Sequence, residues 1–310
     1  MNRRIFSVKI QLAEIVTVVL LLALTSCSTV INTSKIQNLA VNYCEPCIEY
    51  DYSINDKESS LTTQQDSLLR ASLSTHNYSL IQIIGIENEI VTLLENRCDT
   101  LKSLLMRQRI NDKISHCLVE IDAIASELDC YAERLDQLGN YLSGINDKNQ
   151  KLLTILSVSI DAITTATAIF TANPYIAVGG GLTSIGLDAL TISPKGKKVE
   201  LPLKRNLLKN IWFNDNSDKE FPYSVWEIIN NPNFSNDGEV TMRVALRDRW
   251  MQFEFDNDID SDTEELFFKD GGLYTADDLD TRVHMMKELE AIINTIKQNI
   301  RSLTATVNKI

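Results

Sequence analysis

Between residues 61 and 172 the chain contains no proline, and its apolar positions recur at intervals of three and four. One stripe takes in Ile84, Val91, Leu94, Cys98, Leu101 and Leu105. A second keeps the same rhythm for more than four heptads through Ile114, Cys117, Ile121, Ile124, Leu128, Tyr131, Leu135, Leu138, Leu142 and Ile145. Side chains three and four apart share one helix face, so the spacing predicts long helices packed side by side over 61–151. Asn111-Asp112 is the expected turn between them and 143–147 a second interruption, with an unbroken rod through Asn111 as the alternative. Glu87, Glu89, Lys102, Glu120, Glu127, Glu133 and Arg134 fall on the other faces and are expected to be solvated.

The pattern then loses its polar side. Residues 152–193 contain no Lys, Arg or Glu, and their only ionised groups are Asp161 and Asp188. Asn173-Pro174 would turn this stretch into two apolar arms, each about the 20 residues that a helix needs to cross a bilayer. Small residues four apart, such as Ala162/Ala166 and Ala177/Gly181, follow the spacing of helices that pack closely inside lipid, and Gly179-Gly180-Gly181 weakens helix locally. Asp161 and Asp188 would sit at matched depth, about 18 to 21 Å from the tip. Two readings stand: a buried central hairpin of a helical bundle, or a segment that inserts into a membrane.

After residue 194 the character changes again. Trp212, Trp226 and Trp250 fall in this region with Phe213, Phe221, Phe234, Phe253 and Phe255. Val199, Leu201 and Leu203 alternate, as do Val240, Met242, Val244 and Leu246, and Met251, Phe253 and Phe255. The two-residue period predicts short strands, the last two joined at Arg247-Asp248-Arg249. Leu207 to Phe213 and Tyr223 to Ile229 read as short helices. Residues 194–275 are therefore expected to form a small mixed α/β insertion whose aromatics make its core. Gly271-Gly272 is read as a break, and Thr275 with Asp278 as a capping-box-like helix start. Over 276–310, Leu289, Ile293, Ile296, Ile300, Leu303, Val307 and Ile310 restore the helical rhythm. The fold class expected is mainly α: a long antiparallel helical bundle or coiled coil carrying an apolar hairpin and a mixed insertion.

The front of the chain changes the picture by giving it an address. Arg3, Arg4 and Lys9 precede a short apolar run that ends in small residues, the form of a secretory signal over 1–26. Leu24-Thr25-Ser26-Cys27 resembles the lipobox of bacterial lipoproteins. That resemblance implies that Cys27 is lipidated as the first mature residue, and Ser28 after it favours the outer membrane. Residues 27–60, mixed and polar, are expected to be a tether. The chain carries a net charge of −12, which becomes −14 without the three bases and one acid of residues 1–26. Such a balance argues against nucleic acid as a partner and against purely electrostatic capture by anionic lipid.

Candidate chemistry adds little. Cys44-Glu45-Pro46-Cys47 resembles the CxxC of thiol-disulfide oxidoreductases, yet no strand precedes it and no apolar helix follows, so a disulfide of Cys44 and Cys47, or bridges from them to other cysteines, is expected instead. Cys117 and Cys130 cannot pair if they share a helix, since 13 residues place them about 20 Å apart. His116 and Cys117 are neighbours that point about 100° apart on a helix, which argues against a nucleophile and base. Asp256, Asp258, Asp260, Asp262, Glu264 and Glu265 lack the Gly and Glu of a calcium hand, with Ser261 and Phe267 in those places, and read as a solvated loop. HExxH, GxSxG and GxxxxGK[ST] are absent from the sequence. Neither catalysis nor a cofactor is expected. The function expected is that of a lipid-anchored bacterial envelope protein acting as a helical structural or interaction module. Its partners would be membrane lipid at Cys27 and a protein, or a second copy, along the helices. The alternative rests on layout: a helical bundle bearing an apolar hairpin resembles α-helical pore-forming toxins.

Overall fold

The structure, a computed structural model, describes residues 30, 34–41, 43–44, 61–96, 99–171, 196–236 and 238–310, with the backbone alone at 40, 149–150 and 152–171. It is mainly helical. In chain order the elements are α1 (Ser34–Ala40), α2 (Thr63–Ser72), α3 (Thr75–Ile84), α4 (Glu87–Glu95), α5 (Thr100–Thr171), β1 (Val199–Pro202), α6 (Leu207–Phe213), α7 (Tyr223–Asn230), a 3-10 turn (Pro232–Phe234), α8 (Met242–Phe253), α9 (Ser261–Phe268), β2 (Gly271–Tyr274) and α10 (Ala276–Val307). The chain forms two compact units. One comprises 1–38, 139–200 and 273–276; the other comprises 39–138, 201–272 and 277–310.

In the larger unit the long apolar rhythm is realised on α5. Ile114, Cys117, Ile121, Ile124, Leu128, Tyr131, Leu135 and Leu138 are all buried. The turn expected at Asn111-Asp112 does not occur, and neither does the interruption over 143–147: the helix runs on without a break. The reason is visible in the burial. Ile110 and Ile114 face inward at 0 % and 4 % exposure while Asn111 and Asp112 point to solvent, so the polar pair costs the helix nothing.

The first stripe is different, because three short helices replace the expected long one. Ser74 caps α3 by accepting from the Asn77 N–H at 3.2 Å, and Gly85, at φ +71°, ends it in the left-handed conformation. Breaking the rhythm there leaves Leu101, Leu104 and Leu105 exposed rather than on a buried seam.

Along α10, Leu289, Ile293, Ile296, Ile300, Leu303 and Val307 are buried as their spacing requires. Contacts between α5 and α10 step in opposite directions. Arg107 donates to the Val307 carbonyl at 2.9 Å, Asp122 pairs with Lys297, and Arg282 lies 5.8 Å from the Tyr131 ring centre.

The insertion is more helical than its pattern implied. The runs 240–246 and 251–255, expected as strands, belong largely to α8. Thr241 caps that helix by accepting from the Val244 N–H at 3.2 Å, and Leu246 and Trp250, four apart, are its buried residues. Phe253, which alternation would bury, is 63 % exposed. The aromatics nevertheless make a core. Trp212 stacks on Phe268 at 4.2 Å, and Phe255 meets Phe267 edge-on at 5.6 Å. The acidic run is partly a helix start, since Asp260 accepts from the Thr263 N–H at 2.7 Å and caps α9.

Gly271-Gly272 opens a strand rather than breaking the chain. β1 and β2 pair as a two-stranded sheet. Gly271 sits at φ +81°, where a Cβ would lie 2.3 Å from the Leu201 carbonyl oxygen.

In the smaller unit, two points of the segment before residue 61 are described. α1 buries Ile36, and Val30 forms a parallel bridge with Lys198. The helix α5 continues through Asp161 to Thr171, so the first arm of the apolar stretch is helical as far as the description goes. Among the described residues, no helix is long and apolar enough to cross a membrane.

Candidate functional site

Among the described residues of the larger unit, two arginines are the most deeply buried charges. Arg134 on α5 and Arg282 on α10 are each 1 % exposed. Arg134 was expected on a solvated face, and Glu87, 7 % exposed, likewise departs from that expectation. Their positions explain the burial: Arg134 follows Tyr131 by three and precedes Leu138 by four, and Arg282 stands in the same relation to Leu279 and Met286. Both therefore occupy the buried stripe. That spacing is the signal by which the sequence could have revealed them.

Arg282 donates to the Phe267 carbonyl and to Asn206 Oδ1, each at 2.9 Å, while its Nε faces no acceptor among the described residues. Asn206 in turn donates from its Nδ2 to the carbonyls of Phe267 and Lys269, each at 3.0 Å. One arginine and one asparagine thus hold the end of α9 and the start of α6 against α10. Tyr131 lies beneath both guanidinium groups, 4.3 Å from Arg134 and 5.8 Å from Arg282. Next to them Arg205 pairs with Glu127 at 2.7 Å and donates to the Glu220 carbonyl at 2.7 Å.

The cavity these residues line, with Leu128, Leu207, Leu208 and Met286, has a volume of about 20 Å³. That is room for about one water, so the cluster is a clamp and not a substrate pocket.

A second cluster brings together groups of catalytic type. Cys117 is buried beside Ser224, whose hydroxyl donates to Glu120 at 3.1 Å, and Glu120 meets His116 at 3.4 Å. Burial pushes the Cys117 thiol up to about 11, opposed by the Ser224 hydrogen bond. Burial there favours the protonated thiol over the thiolate that a nucleophile needs. His116 points outward from the neighbouring position, as helix geometry requires.

The third feature is covalent. Cys44 is bonded to Cys130 with a Cα–Cα distance of 5.7 Å, across 86 residues of sequence. A disulfide between Cys44 and Cys47 is thereby corrected, because Cys44 has one sulfur and Cys130 holds it. Bridging to another cysteine, the other expectation for Cys44, is what occurs. The exclusion of a Cys117–Cys130 bond holds for the reason given by the sequence, since α5 carries both.

Cys27, Cys47, Cys98, Asn173, Pro174, Gly179, Gly180, Gly181 and Asp188 lie outside the described residues. Asp161 lies on α5 where the backbone alone is described. Among the described residues, no group of three His, Cys, Asp or Glu side chains is arranged to hold a metal ion. Compared with protein-family models, curated proteins and solved structures, the chain matches none.

Proposed function

We propose that this chain is a lipid-anchored protein of a bacterial envelope, attached through Cys27, whose long helices serve as a structural and interaction module. The observation that carries the reading is the Cys44–Cys130 bond. Disulfides persist in oxidising compartments and are rare in the reducing cytosol, so a bond closing a loop of this length agrees with export behind the signal-like segment 1–26. The clamp-like use of the buried arginines fits a protein whose work is packing and contact.

The opposed contacts along α5 and α10 support an antiparallel bundle of coiled-coil type, in which α10 returns along α5. The exposed Leu101, Leu104 and Leu105, three and four apart at the start of α5, are the natural place for a protein partner or a second copy.

The test is to express the whole chain with its signal in a Gram-negative host fed an alkyne analogue of palmitate. Labelled protein in the outer-membrane fraction, with label lost in Cys27→Ala, is the expected result. Unlabelled, soluble wild-type protein would end the reading. The same proposal predicts that Cys27→Ala protein, once purified, releases no dye from liposomes. Leakage, abolished by Ala168→Asp, would instead favour the membrane-inserting reading of 152–193.

A further inference from the structure

We propose that the cavity beside Arg282, in the larger unit, is a binding site for one monoatomic anion of chloride size. The argument starts from charge. Arg282 is 1 % exposed, and a guanidinium does not shed its proton inside a protein. Among the described residues it makes no ion pair. Its hydrogen bonds to the Phe267 carbonyl and Asn206 Oδ1 go to neutral oxygens. The Tyr131 ring, centred 5.8 Å from its guanidinium carbon, offers only a quadrupole. A buried charge without a counter-charge costs far more than a neutral donor left unmade. Nε of Arg282 is in addition a buried donor with no acceptor among the described residues.

The cavity matches that need in size and lining. Its volume of about 20 Å³ takes one water or one halide ion, which is little larger, and is too small for sulfate, phosphate or an organic acid of several carbons. Three charged residues line it: Glu127, Arg205 and Arg282. Arg205 pairs with Glu127 at 2.7 Å, so those two cancel and the excess is the single positive charge of Arg282. The other acid close by is Glu220, which accepts from the Asn206 N–H at 3.3 Å, and burial pushes its carboxyl up, toward the neutral form.

Leu128, Leu208 and Met286, each at most 2 % exposed, supply apolar walls across which charge is screened little. A water there satisfies Nε and leaves the charge; an anion answers both. Glu127 and Arg205, with side chains 11 % and 18 % exposed, are the most exposed of the lining residues and mark the way by which an ion exchanges with solvent. The bound ion then reinforces the hold of Arg282 on the start of α6 and the end of α9. Nothing in this site depends on lipidation at Cys27.

The purified full chain is unfolded by heat in sodium chloride, sodium bromide or sodium gluconate, each at about 0.15 M. An ion that binds only the folded state raises the midpoint, here by about 3 °C in chloride and in bromide over gluconate for millimolar affinity. Arg282→Met is expected to show one midpoint in all three salts. Equal midpoints for the unaltered protein overturn the site. A chloride shift that Arg282→Met retains overturns it too, because it is then a general salt effect.

An independent measurement needs no variant. Crystals grown in sodium bromide should give an anomalous peak within about 3.5 Å of Arg282 Nε. A water in that place, or an ordered Arg282 with no peak beside it, overturns the proposal.

Discussion

At the scale of the residue, burial decides what each polar group can do. Arg282 satisfies Asn206 Oδ1, which has no second donor among the described residues, whereas the Phe267 carbonyl keeps the Asn206 amide as a partner. Arg282→Ala should therefore cost about 2 to 4 kcal/mol in urea unfolding, from one orphaned acceptor and lost packing. Arg282→Met, which fills the space and removes the buried charge, should cost less than the alanine.

Glu120 makes a pH prediction with a definite sign. Burial holds its carboxyl above the ordinary value of 4.5, partly offset by the Ser224 hydrogen bond. A carboxyl whose folded value is raised destabilises the fold when ionised, and the penalty is relieved as pH falls through that raised value. Glu120→Gln is thus expected to be the more stable protein at pH 7, by a margin that shrinks toward pH 4.5. A margin that widened on acidification would contradict the assignment. Cys117, protonated and buried, should resist iodoacetamide at pH 7.5 in folded protein and react after unfolding.

At the scale of the element, the two-residue period misled where the helical one did not. The run from Val240 to Phe255 offers alternating apolar side chains, yet Thr241 supplies a cap and Leu246 with Trp250 supplies a buried face at helical spacing. In a window this short, both periods fit, and contacts with the neighbouring aromatics choose between them. Thr241→Val should cost about 1 kcal/mol through loss of the cap. Gly271 tests the sheet: alanine there would meet the Leu201 carbonyl, a backbone atom that cannot swing aside, and also adopt φ +81°. A loss of about 1 to 3 kcal/mol is expected for Gly271→Ala, read by thermal unfolding; Gly238→Ala, at φ +73° but in open space, should lose less, because only the backbone strain applies there.

At the scale of the whole molecule, the Cys44–Cys130 bond closes the longest covalent loop described. Replacing both cysteines by serine should lower stability by about 2 to 4 kcal/mol, and peptide mapping without reductant should recover the two cysteines in one linked peptide. The sequence by itself determined the mainly helical class, the buried faces of α5 and α10, the short helices α6 and α7, and the separation of Cys117 from Cys130. Each follows from local spacing, which a helix converts directly into a shared face. Only tertiary structure decided that Asn111-Asp112 continues a helix, that Arg134 and Arg282 are interior, that Ile36 is buried, and that Cys44 finds Cys130. A turn signal is overridden when flanking apolar side chains bury on one side. An arginine enters a core only where distant carbonyl and amide groups converge to receive it, and a disulfide partner is set by distance in space, which sequence separation does not encode.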